Sequence, residues 1–216
     1  MKKGLTELVF IIDRSGSMGG LESDTVGGIN ATLAKNRAAE GEAIVSIVLF
    51  DNTADVLVDR VPIAEVKDLT LDDYQVRGCT ALLDCVGDSI RHIKRVQGYM
   101  PDEHKAEHVI FVITTDGLEN ASTRYSYGDV KRAIEQRTEE GWEFVFLGAN
   151  IDAVSEAARI GIGASRAATY IADGDGSEVM YESVADACCE MRSMKFGERI
   201  GAAWKGRIER DTAARG

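Results

Sequence analysis

The sequence is poor in the features that mark secreted, membrane-embedded or nucleic-acid-binding chains. Cysteine is scarce: Cys79, Cys85, Cys188 and Cys189 form no Cys-x-x-Cys pair, and two of them are adjacent. That pattern suits reduced thiols and a cytoplasmic protein better than a disulfide framework. No apolar stretch approaches the roughly 20 residues of a membrane-spanning helix. Met1-Lys2-Lys3 ahead of Leu8–Ile12 imitates a leader sequence only faintly, because the apolar run is short and stops at Asp13. Excess basic charge is also missing. The formal net charge of −11 argues against nucleic acid or an anionic membrane surface as a partner. Arg91, Lys94 and Arg95 stand at helical spacing and read as a solvated helix face.

What is present is the composition of an ordinary globular protein, 44% hydrophobic and 28% charged over 216 residues. No linker, internal repeat or low-complexity segment interrupts it. Residues 1–216 are therefore expected to form one domain with a sizeable core. Continuously apolar runs at 5–13, 43–50, 109–114 and 142–147 predict strands covered on both faces. A charged strand over 55–61 follows 43–50 after a four-residue turn, too short for a parallel crossover, and is expected to be an antiparallel edge. A short sixth strand is expected at 167–171. Helices are predicted over 20–39, from 80 or 81 to about 98, over 127–140 behind a Ser126/Asp129 capping box, from Asp152 to near Gly161, and over about 176–205. Gly27-Gly28 inside the first helix implies close packing or a kink there. This alternation predicts an α/β, doubly wound, Rossmann-like three-layer fold: a mainly parallel six-stranded sheet with one antiparallel edge strand and helices on both faces.

The first strand ends in Asp13-Arg14-Ser15-Gly16-Ser17-Met18-Gly19. An apolar strand that stops at a carboxylate and opens into a Ser/Gly loop puts hard oxygen atoms at the carboxyl end of a sheet, where ligands bind in open α/β folds. Read alone, the stretch is compatible with a helix cap, a nucleophile or a metal site. Two distant segments bear on it. Gly78-Cys79-Thr80-Ala81 opens the second helix, and Thr115-Asp116-Gly117 ends the fourth apolar strand. The first and fourth strands are expected to be neighbours at the switch point of the sheet. Asp13, Ser15, Ser17, Thr80 and Asp116 would then meet there, an all-oxygen set that suits a hard divalent cation such as Mg²⁺.

These five residues resemble the metal-ion-dependent adhesion site of the von Willebrand factor A-type (integrin I-like) domain family, whose pattern is Asp-x-Ser-x-Ser, a separate Thr and a separate Asp from three loops. All five positions match, and the element order matches over roughly 5–171, followed by the long last helix also usual in that family. The resemblance implies a non-enzymatic protein-binding module with Mg²⁺ or Mn²⁺ as its cofactor. Ser15 and Ser17 would ligate directly, Thr80 or Asp116 would alternate with the state of the site, and Asp13 would orient the rest. A partner protein would complete the site with an Asp or Glu carboxylate. Met18, Leu118, Glu119 and Asn120 lie beside the ligands in sequence and are expected to form the rim of that contact.

The chief rival is a Mg²⁺-dependent phosphoryl-transfer or phosphatase enzyme with Asp13 as nucleophile. Position 15 is Ser rather than a second Asp, and no Lys lies in the three loops. Ser17 lacks the Gly-x-Ser-x-Gly elbow of a hydrolase. His104-Lys-Ala-Glu-His108 matches a zinc-protease pattern but sits between Pro101 and a strand, which predicts loop rather than helix. Asp173-Gly-Asp-Gly-Ser departs from a calcium loop at its fifth, sixth and twelfth positions and reads as a turn.

Overall fold

The computed structural model describes residues 1–215. Six strands form one sheet in the order β3-β2-β1-β4-β5-β6. They are β1 (Lys2–Asp13), β2 (Glu42–Phe50), β3 (Ala54–Pro62), β4 (Ala106–Thr115), β5 (Glu143–Ala149) and β6 (Ala167–Tyr170). β1 pairs in parallel with β2 and β4, as do β4 with β5 and β5 with β6, while β3 runs antiparallel on β2. The predicted fold class is the observed one.

Alternate residues of β1 enter two separate cores, because successive side chains of a strand point to opposite faces. Leu8, Phe10 and Ile12 pack with Ile29 and Leu33 of α1 (Glu22–Ala38) and with Met180 and Val184 of α5 (Gly174–Ser193). Val9 and Ile11 pack with Val86 and Ile90 of α2 (Leu82–Tyr99), Val130 and Ile134 of α3 (Tyr127–Glu139), and Ala157 of α4 (Ala153–Arg159). Burial on both faces is why these strands read as unbroken apolar runs. The β1–β2 crossover runs through α1 on one face, and the β4–β5 crossover through α3 on the other. The connections therefore diverge between β1 and β4, which leaves a crevice above their carboxyl ends.

Local chemistry sets the helix ends. Ser126 and Asp129 form a reciprocal capping box on α3. The Asp152 carboxylate accepts from Ser155 N on α4. Gly28 touches the ring of Tyr181 on α5, and a β-carbon at position 28 would overlap that ring. The close packing expected at Gly27-Gly28 falls on Gly28, whereas Gly27 faces open space. Arg60 on the edge strand takes a left-handed conformation (φ 54°) and turns inward, where its Nε donates to Oε1 of the fully buried Glu7 at 2.5 Å.

The C-terminal region departs from expectation. In place of one helix over 176–205, α5 stops at Ser193, Met194 is extended, and Gly197 turns left-handed (φ 86°). After a short 3-10 segment, α6 (Gly206–Arg215) follows. Trp204 donates Nε1–H to the Ser165 carbonyl, and Lys205 Nζ donates to the carbonyls of Ala164 and Ala167. These contacts anchor the segment across the β6 edge. The helix cap near residue 175 is Asp173, whose carboxylate accepts from Gly176 N. His104 lies in a 3-10 turn and His108 in β4, so the two never share a helix face. Among the described residues no helix is long and apolar enough to cross a membrane.

Candidate metal centre

Each loop at the β1/β4 crevice is shaped by its own hydrogen bonds. Asp13 is fully buried at the end of β1. Its Oδ1 accepts from Ser15 N at 2.7 Å, the Asx-type bond that turns the chain out of the strand. Its Oδ2 accepts from Thr115 Oγ1 on β4 at 2.6 Å. A 3-10 turn over Gly16–Met18 then places the Ser15 and Ser17 hydroxyls 3.1 Å apart. Ser17 Oγ donates to Asp116 Oδ1 at 2.5 Å across the crevice. Thr80 faces the same spot: a β-carbon built on Gly117 would lie 3.1 Å from Thr80 Oγ1 and 3.4 Å from Ser17 Oγ. The five residues singled out in the sequence are thus brought together from three loops.

The electrostatics of this cluster lack a positive charge. Burial pushes the Asp13 carboxyl above its ordinary range, against the hydrogen bonds from Thr115 and Ser15, and the Asp116 charge pushes the same way. Burial likewise raises Asp116, opposed by Ser17. Among the described residues neither carboxylate has an ion-pair partner; the nearest arginine in sequence, Arg14, turns to Asp51 and Asp55. Two buried carboxylates without a counter-charge are costly. With three hydroxyls beside them the donors are all hard oxygens, and a divalent cation of the Mg²⁺ type fits both the chemistry and the charge. No group of three or more His, Cys, Asp or Glu that could hold a metal occurs among the described residues. A metal here would therefore depend on the hydroxyls of Ser15, Ser17 and Thr80 as much as on the two acids.

The expected rim needs correction. Met18 is only 1% exposed, because the 3-10 turn points it inward, and it cannot meet a partner. Glu119 spends its carboxylate on Leu83 N, Ala121 N, Ser122 N and Ser122 Oγ. Asn120 is exposed, but it exchanges two bonds with the Thr80 backbone, 2.9 Å to its Oδ1 and 3.0 Å from its N. Both residues hold the loop that carries Thr80. Of the four, Leu118 stands free, 52% exposed.

Several residues that build the site escaped sequence reasoning. Thr115 fixes Asp13, and the Tyr74 hydroxyl donates to the Asp13 carbonyl at 2.5 Å. Asp84 in the first turn of α2 receives Thr123 N, Arg124 N and Tyr125 N and fastens the loop after β4. Asp51 follows β2 as Asp13 ends β1, a strand-end carboxylate that the rule applied to Asp13 would have flagged.

No family model matches the chain, and no curated protein matches it. Solved structures do. Proximal thread matrix protein 1 from the mussel byssus, with a zinc-occupied MIDAS motif, superposes with a TM-score of 0.61 at 20% identity, over 87% of this chain and 46% of that one. A von Willebrand factor type A protein from Catenulispora acidiphila gives 0.56 at 20% identity, over 92% of this chain and 44% of that one. The vWF domain of the type V pili tip protein Mfa5 from Porphyromonas gingivalis gives 0.60 at 11% identity, over 90% and 98%. The chain spans less than half of the first two and nearly all of the third. At these identities the likeness is one of fold: the chain has the fold of a von Willebrand factor A-type domain.

Proposed function

We propose that the chain is a divalent-metal-dependent protein-binding module whose metal site is completed by an Asp or Glu of a partner protein. The observation that carries this reading is the pair of buried, uncompensated carboxylates, Asp13 and Asp116, meeting three hydroxyls at the switch point of the sheet. Ser15, Ser17 and Thr80 would hold Mg²⁺ or Mn²⁺, with Asp116 beside them. When bound, the metal would supply a positive charge that neutral hydroxyl ligands leave largely unquenched, and so an attraction for an outside carboxylate. Asp13 orients the loop through Ser15 N and Thr115. The surroundings suit a close approach: Gly16, Ser17, Gly19, Gly20, Gly78 and Cys79 are exposed and small, and Leu118 offers one apolar contact. Four free cysteines, two of them buried, support a cytoplasmic setting. The net charge of −11 favours neither nucleic acid nor an anionic membrane as partner.

The phosphoryl-transfer reading is disfavoured by the state of Asp13. It is fully buried and both its carboxylate oxygens accept hydrogen bonds, so neither is presented for attack on a phosphoryl group. The test is capture of partners from lysate in Mg²⁺, in EDTA, and by Asp116→Ala in Mg²⁺. A partner recovered only by the wild type in Mg²⁺ is the expected result. A partner recovered equally in all three overturns the reading. Phosphatase turnover in Mg²⁺ that is lost in Asp13→Ala would replace it with the enzymatic one.

A further inference from the structure

The turn between β2 and β3 gives no ligand to the proposed metal centre, yet two of the ligand-bearing loops are tied to it. Asp51, 3% exposed, receives two guanidinium groups on one oxygen: Arg14 Nε at 2.9 Å and Arg77 Nε at 2.7 Å reach Oδ2. Its Oδ1 accepts from Thr53 N at 2.9 Å, which closes the turn. Its backbone carbonyl accepts from Ala81 N at 2.8 Å. Arg14 lies between Asp13 and Ser15. Arg77 and Ala81 bracket Thr80. Further bonds join the same pieces: Arg77 N donates to the Arg14 carbonyl at 2.8 Å, Gly16 N to the Gly78 carbonyl at 3.1 Å, and Cys79 N to Asn52 Oδ1 at 2.9 Å. Asp55 bonds both arginines from the outer side.

We propose that Asp51, acting through Arg14 and Arg77, is a positioning residue that sets the separation of the Thr80 hydroxyl from those of Ser15 and Ser17. This rests on the metal-centre reading given above. A near-octahedral Mg²⁺ shell tolerates little error in oxygen placement, and Thr80 comes from a loop with no regular structure before Leu82. The loop cannot fix the hydroxyl by itself. Arg77 is 58% exposed and its partner Asp55 54%, so that pair contributes little to stability, and the buried Asp51 keeps Arg14 as a counter-charge when Arg77 is lost. Its bonds to Asp51 and Asp55 therefore act as a geometric restraint on the Thr80 loop more than as a source of folding energy.

The experiment is Mn²⁺ affinity of the full chain by titration calorimetry, for wild type, Thr80→Ala, Asp51→Asn, Arg77→Gln and the double variant Arg77→Gln/Thr80→Ala. Residues that orient ligands typically change metal affinity by about 10–100-fold. Thr80→Ala and Asp51→Asn should each weaken Mn²⁺ about tenfold, and Arg77→Gln several-fold, with its melting temperature in EDTA within a few degrees of wild type. The double variant should bind no more weakly than Thr80→Ala, because the arginine acts through that hydroxyl. Should Asp51→Asn not fold, the milder Arg77→Gln carries the comparison. Wild-type affinity in Arg77→Gln and in any Asp51→Asn that folds, with a loss in Thr80→Ala, overturns the positioning role and leaves the metal centre standing. Additive losses in the double variant overturn it too. Equal Mn²⁺ binding by wild type and Thr80→Ala, or none by either, overturns the metal centre and the inference together.

Discussion

Replacing Gly28 by alanine and replacing Gly27 by alanine should move stability in opposite directions, although the two residues are adjacent in α1. Both sit in helix interior with ordinary helical backbone. In each case alanine restricts the unfolded chain and gains about 1 kcal/mol of helix propensity over glycine. Gly27 is exposed and a β-carbon there meets nothing within 4 Å, so the gain stands alone. At position 28 the same carbon overlaps Tyr181, whose ring is buried between α1 and α5 and has no free end to swing aside. Overpacking of a filled core costs about 1–3 kcal/mol, and an overlap on three ring atoms belongs at the upper end. The net for Gly28→Ala is then a loss of about 2 kcal/mol. For a chain of this size about 1 kcal/mol corresponds to roughly 2–4 °C. Gly27→Ala should melt about 2–4 °C above wild type and Gly28→Ala about 4–8 °C below it. Urea unfolding should show the same signs with unchanged slope. If both variants gain stability equally, the α1–α5 contact at Gly28 is not as described.

Other outcomes follow from single features. Asp84 is pulled two ways: burial raises its carboxyl, but the N–H groups of Thr123, Arg124 and Tyr125, with Arg124's charge, outweigh burial and hold it below its ordinary range. Its stabilisation is therefore present above the unfolded carboxyl pKa of about 3.9 and fades as pH falls through the lower folded value. Asp84→Asn should cost about 1.5–3 kcal/mol at pH 7 by urea unfolding, and the gap from wild type should shrink below about pH 4; a gap that does not change with pH would contradict this. Glu7→Gln leaves Arg60 without its buried counter-charge and should cost about 3 kcal/mol in the same assay. Ser126→Ala removes the hydroxyl half of the α3 capping box, while the backbone N–H at position 126 still donates to Asp129 Oδ2, and should cost about 1 kcal/mol, read as a lowered urea midpoint.

The parts of the molecule legible in sequence are those governed by short-range pattern. Leu8–Ile12, Ala43–Phe50 and Val109–Thr114 are buried on both faces, so their continuous apolarity announces parallel strands. Ser126 and Asp129 announce a helix start because their bonds span three residues. The five site residues were legible because they lie at the end of β1, in the short loops directly after β1 and β4, or just before α2. What stayed hidden depends on contacts between distant residues. Nothing near Asp51 reveals that Arg14 and Arg77 converge on it, and nothing near Glu119 reveals that it receives Leu83 N. Met18 follows Ser17 and for that reason was expected on the rim, but the 3-10 turn points it inward. The residues from Met194 to Lys205 lie between helical patterns but include Gly197 and Gly201, which weaken a helix. A left-handed Gly197 and the anchoring of Trp204 and Lys205 on the β6 side break the helix there.

The central claim is that Asp13, Ser15, Ser17, Thr80 and Asp116 together hold one divalent cation. Mn²⁺ titration followed by electron paramagnetic resonance measures this directly, at protein concentrations up to millimolar so that weak binding is seen. Wild type should remove one equivalent of Mn²⁺ from the free signal and release it to excess Mg²⁺, while Ser15→Ala and Asp116→Ala remove far less under the same conditions. Binding of one equivalent by the variants as tightly as by wild type, or no binding by wild type at all, would contradict the account.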